Sequence, residues 1–142
     1  MEQRKKKISI LSACYNEEEN IRPLYEAIKN AMSEFPEYDY EQIFADNCST
    51  DRSAQIMEEI AAQDRRIKVV LNLRNYGPNR SGVNILRLTT GDAVISMASD
   101  FQDPPEMIPI LVRKWAEGNK VVWCQRTKSN GKRGTGWLRK LY

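Results

Sequence analysis

Short apolar runs alternate with helical repeats along this chain, and that alternation leaves few architectures open. Residues 8–14 (ISILSAC), 40–45 (YEQIFA), 67–71 (IKVVL), 93–98 (AVISMA) and 120–124 (KVVWC) are rich in branched apolar side chains and bounded by polar stretches, the pattern of buried strands. Between them Ile21, Leu24, Tyr25, Ile28 and Met32 recur at helical spacing. So do Ile56, Met57, Ile60 and Ala61, and later Met107, Ile108, Leu111, Val112 and Trp115. A further helix is expected over 81–88, ended by Gly91. Asn16 is placed to cap the first helix, with Glu17, Glu18 and Glu19 at its positive end, and Ser49 or Thr50 to cap the second. Pro104 and Pro105 open the last helix and Gly118 stops it. Strands alternating with helices predict an α/β domain with a mainly parallel sheet flanked by helices.

Parallel sheets of this kind bind ligands beyond the carboxyl ends of their strands. The polar clusters fall at those ends: Tyr15-Asn16-Glu17 after the first strand, Asp46 after the second, Asn72, Arg74 and Asn75 after the third. Asp100, Gln102 and Asp103 follow the fourth, and Arg126 the fifth. Residues two apart in extended chain point the same way, so Asp100 and Gln102 can face one ion together. Oxygen ligands of that type suit Mg²⁺ or Mn²⁺. Asp103 also suits a cap on the helix that Pro104 opens.

Composition removes whole classes of chemistry. The chain has no histidine, so His-based triads and zinc–histidine sites are excluded, and acid, base or metal chemistry falls to carboxylates, amides, Lys, Tyr or Cys. Three cysteines, Cys14, Cys48 and Cys124, have no metal-type spacing and read as reduced thiols. No apolar run approaches the roughly 20 residues of a membrane span. The charged start, 1–7, has no secretory apolar region, which places the expected site of action in the cytosol or on the cytosolic face of a membrane. The net charge of +3 conceals an asymmetry. Residues 8–125 carry 12 Lys and Arg against 18 Asp and Glu, whereas 126–142 carry six basic residues and no acid. An acidic body with basic ends argues against a nucleic-acid surface and suits a carboxylate metal site near groups that meet phosphate or an anionic membrane.

The run from Met97 to Glu106 (MASDFQDPPE) resembles the metal-binding segment of family-2 glycosyltransferases, and within them the polyprenyl-phosphate branch that includes dolichyl-phosphate mannose synthases. Cys14 to Ile21 resembles the family's opening Tyr-Asn-Glu segment, Asp46 to Asp51 its Asp-Asp-Gly-Ser-Thr-Asp turn, and Arg74 to Gly77 its Arg-Asn-Phe-Gly loop. Gly118 to Arg126 resembles the strand that ends in Arg. The chain departs from the pattern where the first carboxylate of Asp-x-Asp is Ala98, where the paired Asp is Asn47, and where the usual Gly is Cys48.

The resemblance implies a glycosyltransferase A-type, Rossmann-like fold over a single domain, 1–142, forming the N-terminal part of a longer protein. It implies an inverting enzyme that moves a sugar from a nucleotide diphosphate sugar, a UDP-sugar in first place or GDP-mannose, to polyprenyl phosphate at the membrane surface. It implies Asp100 as the catalytic group, with Mg²⁺ or Mn²⁺ held by Asp100 and Gln102. It implies that Tyr15, Asn16, Glu17, Asp46, Ser99 and Arg126 bind substrate, Asp46 accepting from a base N–H and Arg126 approaching phosphate. A saccharide acceptor, or an α/β module that only binds nucleotide, are the alternatives. The Gly-x-Gly-x-x-Gly of a dinucleotide binder is missing after the first strand, as is the acidic pair of a receiver domain.

Overall fold

The structure, a computed structural model, describes residues 4–124. Strand β1 (Lys7–Cys14) is followed by helix α1 (Glu18–Met32), β2 (Asp39–Asp46), α2 (Ser53–Gln63), β3 (Ile67–Leu71), α3 (Pro78–Leu86) and β4 (Ala93–Ser96). A 3₁₀ turn (Pro105–Met107) then leads into α4 (Ile108–Ala116). All strand pairs are parallel and the order is β3-β2-β1-β4. The register sets Cys14 beside Asp46 and Asp46 beside Leu71, so the carboxyl ends of three strands lie level.

Side-chain alternation divides the core. Ile8, Ile10 and Cys14 of β1 and Tyr40 and Phe44 of β2 face one side, where α1, α2 and α4 bring Ile21, Leu24, Ile28, Met57, Ile60, Ile108 and Val112 against them. Each such side chain, taken fully out of water, contributes about 1.5–3 kcal/mol. Among the described residues the other side receives α3, whose Ile85 packs on Leu11, Ile43 and Ala45. The first two apolar runs form strands buried on both faces, as parallel strands usually are, whereas β3, at the sheet edge, buries only Ile67.

That thinly covered face holds a carboxylate. Glu41 sits mid-strand in β2 and is 1% exposed. Its Oε1 accepts from Ser9 Oγ (2.6 Å) and from the Thr90 N–H (2.8 Å), and its Oε2 meets Lys7 Nζ (2.8 Å) and Lys68 Nζ (2.7 Å). One side chain thus ties β1, β2, β3 and the turn before β4. Burial pushes its pKa up, but the hydrogen bonds from Lys68, Lys7, Ser9 and Thr90 outweigh it and hold the carboxyl well below the usual range.

Several local expectations give way to longer-range contacts. Asn16 does not cap α1: it adopts a left-handed φ of 55°, and Glu17 is the N-cap. Neither Ser49 nor Thr50 caps α2, whose first N–H, on Ser53, donates to Asp51 Oδ1 at 2.9 Å. Helix α3 begins at Pro78 rather than 81, because Gly77 turns the chain at φ 79° and Pro78 supplies a preset first residue. Gly91 is not the stop of α3. A Cβ there would lie 2.7 Å from Ser9 N and Oγ, so the residue permits close approach to β1. Asp103 does not cap the turn after Pro104; its carboxylate accepts from the Ala98 N–H at 3.0 Å. The fourth strand stops at Ser96.

No strand forms over 120–124. The segment makes no ladder with β4, whose edge is only four residues long, and Val121 and Trp123 are 83% and 88% exposed. An apolar run becomes a strand only where a neighbour completes its backbone hydrogen bonds. Gly118, at φ 99°, does end α4, its N–H donating to Trp115 O. Among the described residues no helix is long and apolar enough to cross a membrane.

The ion cluster predicts a pH signature. Replacing Glu41 by Gln is expected to lower the unfolding free energy by about 2 kcal/mol near neutral pH, measured by urea titration. The folded carboxyl is depressed, so its contribution is complete above the unfolded value of about 4.3 and fades as pH falls toward the folded one. The gap between wild type and Glu41→Gln should therefore narrow in acid.

Candidate functional site

At the carboxyl ends of β1 and β2 the two loops that follow brace each other. The N–H groups of Asn16, Glu17 and Glu18 donate to Ser49 Oγ (2.9 Å), Ser53 Oγ (2.8 Å) and Asp51 Oδ2 (3.1 Å). In return the N–H of Thr50 donates to Asn16 Oδ1 (2.8 Å) and that of Arg52 to Glu18 Oε2 (3.0 Å). The orphan donors at the start of α1 are thus met by residues more than 30 positions away. Asn16 and Cys48 take left-handed φ values of 55° and 65°. Asn tolerates that region well, whereas Cys sits where a residue without Cβ would be unstrained.

A second network joins the loop after β3 to the end of β2. Asn47, buried, accepts through Oδ1 from the Tyr76 N–H (3.0 Å) and from Asn72 Nδ2 (3.2 Å), and its Nδ2 donates to Asn75 Oδ1 (2.7 Å). Asn72 Nδ2 also donates to Ser81 Oγ in α3.

The loop after β4 is a turn, not extended chain. Phe101 takes φ 57°, which folds Gln102 back on Asp100. Asp100 accepts from the Gln102 N–H at 3.1 Å and from Gln102 Nε2 in a close contact. Asp100 and Gln102 lie side by side and bond to each other, brought together by the left-handed residue between them rather than by extended chain. Ser99, buried, donates to Ala13 O at 3.2 Å and so holds this loop against the end of β1.

Between these loops and α3 lies a cleft of about 810 Å³. Tyr15, Glu17, Asn47, Asn75, Ser99, Asp100 and Gln102 line its polar part, while Leu11, Val83, Ile85, Leu86 and Val94 form an apolar wall. Tyr15 is about half exposed. Glu17 accepts from Asn20 Nδ2 at 2.6 Å. Asn16 does not line the cleft, and its side-chain oxygen is occupied by Thr50. Asp46 is buried behind Cys14 and Asn47; its Oδ2 accepts from the Ser49 N–H, and its Oδ1 has no partner among the described residues. Arg126 and the basic residues after it lie outside the described residues. Burial pushes the Cys14 thiol up to about 12, and Glu17 and Asp46 add to this against the hydrogen bond from Ser99. It stays a protonated, inert thiol.

As a cation site the loop is sparse. Among the described residues no group of three or more His, Cys, Asp or Glu side chains gathers. Asp103 is turned onto Ala98, so Asp100 is the carboxylate of this loop that lines the cleft, with the Gln102 amide beside it. That donor set fits a hard divalent cation that completes its shell from phosphate and water. Sequence reasoning assigned no role to the side chains of Asn47 and Asn75, since an Asn in a turn usually serves its own backbone.

Residues 9–142 match the family model described as Glycosyl transferase family 2. The undecaprenyl-phosphate 4-deoxy-4-formamido-L-arabinose transferase of Proteus mirabilis is 36% identical over 94% of this chain and 40% of its own length. The bactoprenol glucosyl transferase of Shigella phage SfX is 35% identical over 96% of the chain and 46% of its own length. The chain thus spans less than half the length of these relatives. Among solved structures, S. aureus TarS superposes with a TM-score of 0.64 at 28% identity, covering 78% of this chain and 32% of that one. TarS has also been solved with UDP and with UDP-GlcNAc; both complexes give a TM-score of 0.58 at 30% identity over 66% of this chain, and 27% and 26% of theirs. The parallel sheet with flanking helices is therefore the expected glycosyltransferase A-type fold.

The bracing of the first two loops depends on Asp51, which accepts from both Glu18 and Ser53. Asp51→Ala is expected to cost about 1–2 kcal/mol of stability. Thermal melting and amide exchange at Glu18 and Ser53 would register it, the two amides losing protection together.

Proposed function

Because the chain belongs to glycosyl transferase family 2, we propose that its cleft takes the nucleoside diphosphate of a nucleotide sugar, and that the whole protein transfers the sugar, with inversion, to a polyprenyl phosphate. One observation carries the donor half of this reading. The cleft opens at the carboxyl ends of β1 and β4 and brings Tyr15, Glu17, Ser99, Asp100 and Gln102 to a single space. The UDP and UDP-GlcNAc complexes of TarS support a UDP-sugar, and the names of the bacterial and phage relatives support a polyprenyl phosphate acceptor. Such an acceptor places the reaction at a membrane surface, on its cytosolic face.

Tyr15 offers an aromatic face at the mouth of the cleft. Asp46 Oδ1, a buried acceptor with no donor among the described residues, would suit a uracil or guanine N–H. Ser99 and Glu17 line the same cleft as Asp100.

Asp100 and Gln102 would hold Mg²⁺ or Mn²⁺, Gln102 turning its amide oxygen inward from its present contact with Asp100. Bound there, the cation would neutralise charge on the departing diphosphate. The cleft needs that service, because its described lining contains the carboxylates of Glu17 and Asp100 and no Lys or Arg. A phosphate acceptor is already anionic near neutral pH, so the reaction requires no histidine base.

Calorimetry of UDP and GDP, with and without Mn²⁺, tests the donor site. Binding of one nucleotide is expected, strengthened by Mn²⁺, with that gain cut at least about tenfold in Asp100→Ala. Failure of both nucleotides to bind would sink the donor assignment. Binding indifferent to Mn²⁺ and to Asp100→Ala would remove the metal alone. For the acceptor, the full-length protein should move sugar onto polyprenyl phosphate; transfer to a soluble saccharide instead would refute the lipid assignment.

A further inference from the structure

We infer that a second binding site, for a phosphate group, lies at the amino ends of the strands, with the Tyr40 hydroxyl, Lys29, Arg65 and Arg66 as its donors. It stands apart from the donor cleft and does not depend on what that cleft binds.

A pocket of about 560 Å³ opens at this end of the sheet. Lys7 lines it and Cys14 lines the cleft, and these residues are the two ends of β1. Eight residues of strand, at about 3.3 Å each, set the two spaces roughly 25 Å apart.

The body of the chain is acidic, yet five cations line this pocket, Lys7, Lys29, Arg65, Arg66 and Lys68, against two acids, Asp39 and Glu41. Glu41 is already shared by Lys7 and Lys68, and Asp39 stands 3.8 Å from Lys5. Outside the lining, Asp64 is held by Arg66 (2.6 Å) and by the Tyr25 hydroxyl (3.1 Å), and Glu26 is close enough to act on Lys29 and Tyr40. Lys29 donates to the Tyr25 hydroxyl, and Arg65 forms no ion pair among the described residues. The pocket thus keeps an excess of positive charge.

Tyr40 defines what the pocket takes. It lines the pocket, it is 9% exposed, and its hydroxyl has no partner among the described residues. A buried hydroxyl left in that condition is costly. The Arg66 guanidinium lies over its ring, 4.6 Å from the centroid. Arginine and lysine only donate, so the surrounding cations lack an acceptor just as the hydroxyl does. A ligand that accepts from Tyr40 and carries negative charge answers both deficits. A phosphate group does so, because its oxygens accept from the hydroxyl and two of them match a guanidinium fork. The donors come from α1 (Lys29), β2 (Tyr40) and the turn between α2 and β3 (Arg65 and Arg66), so a bound phosphate joins separate parts of the fold and stabilises it.

Tyr40→Phe isolates the hydroxyl. It keeps the ring under Arg66 and removes a group that bonds to nothing among the described residues, so melting without phosphate should equal or exceed that of wild type.

The test titrates inorganic phosphate into wild type, Tyr40→Phe and Arg65→Ala, in EDTA and at an ionic strength held constant with chloride, and follows melting temperature and amide NMR shifts. Wild type should melt higher as phosphate rises, with shifts gathered at Lys29, Tyr40 and 65–68 rather than at Tyr15 and Asp100. Each variant should weaken phosphate by about tenfold. Vesicles containing phosphatidylglycerol separate the two sources of such a group: competition with phosphate assigns the site to a lipid headgroup, and lack of competition to a soluble phosphate compound. Shifts no larger than those chloride gives, or phosphate affinity in Tyr40→Phe within about twofold of wild type, would overturn the inference. So would a Tyr40→Phe that melts well below wild type without phosphate, because its hydroxyl would then have a partner inside the fold.

Discussion

β1 is hydrogen-bonded to β2 on one side and β4 on the other, and the chain reaches β4 only after running outward through β2 to β3. The connections therefore leave β1 in opposite directions. Where they part, no helix can close the gap over the carboxyl end of the strand, and a crevice follows from topology alone. The cleft lies there, with Ala13, Cys14 and Tyr15 from the end of β1 and Ser96 to Asp100 from the end of β4 along it. Residues from distant parts of the chain can meet in it because the sheet has already levelled their strands.

Loops at such an edge have lost their ladder partners, and buried backbone donors without partners are costly. Side chains replace the ladder here in a graded way. Ser49, Asp51 and Ser53 serve the N–H groups after β1, Asn47 serves those after β3, and Asp103 serves Ala98 after β4. Short polar side chains dominate because they reach a neighbouring backbone without spanning solvent. The same requirement separates the two carboxylates after β4: Asp103 is turned to the backbone, and Asp100 lines the cleft.

The strands were legible in the sequence from their branched apolar runs: β1 and β2, buried on both faces, were read to within one residue at either end, and the edge strand β3 to the residue. The caps were not. Asn16 looks like a local N-cap, but its partner is Thr50, 34 residues on, and no periodicity records a contact between two loops. The run 120–124 carries a strand's composition, yet composition cannot show whether a ladder exists to receive it. Glu41 is the sharpest case. A charged residue within a buried strand reads as an interruption until Lys7 and Lys68 are seen to flank it from the two neighbouring strands. Of the residues that line the cleft, Tyr15, Glu17, Asp100 and Gln102 were singled out by one rule about strand ends, whereas Ser99 came only from the family resemblance. The depth of Asp46 and the amide hub at Asn47 depend on how the loops fold over one another.

The electrostatics of the cleft bear on the loss of the first Asp-x-Asp carboxylate at Ala98. Glu17 and Asp100 already present two negative charges to a dianionic or trianionic ligand, and no described lining residue is cationic. Like charges within about 5 Å repel by a few kcal/mol at the dielectric of a protein surface, so a diphosphate entering alone meets a net penalty. A third carboxylate would bind a free cation better while raising that penalty whenever the cation was absent. With Ala98 in its place, the described donor set proposed for the cation, Asp100 and Gln102, is too small to retain a divalent ion firmly, and a diphosphate would have to bring its own oxygens to complete the shell. On the proposed donor-site reading, the cation and the nucleotide would stabilise each other in the site, each weak alone. A motif reduced in this way would favour a cation that arrives with the diphosphate over one that waits for it.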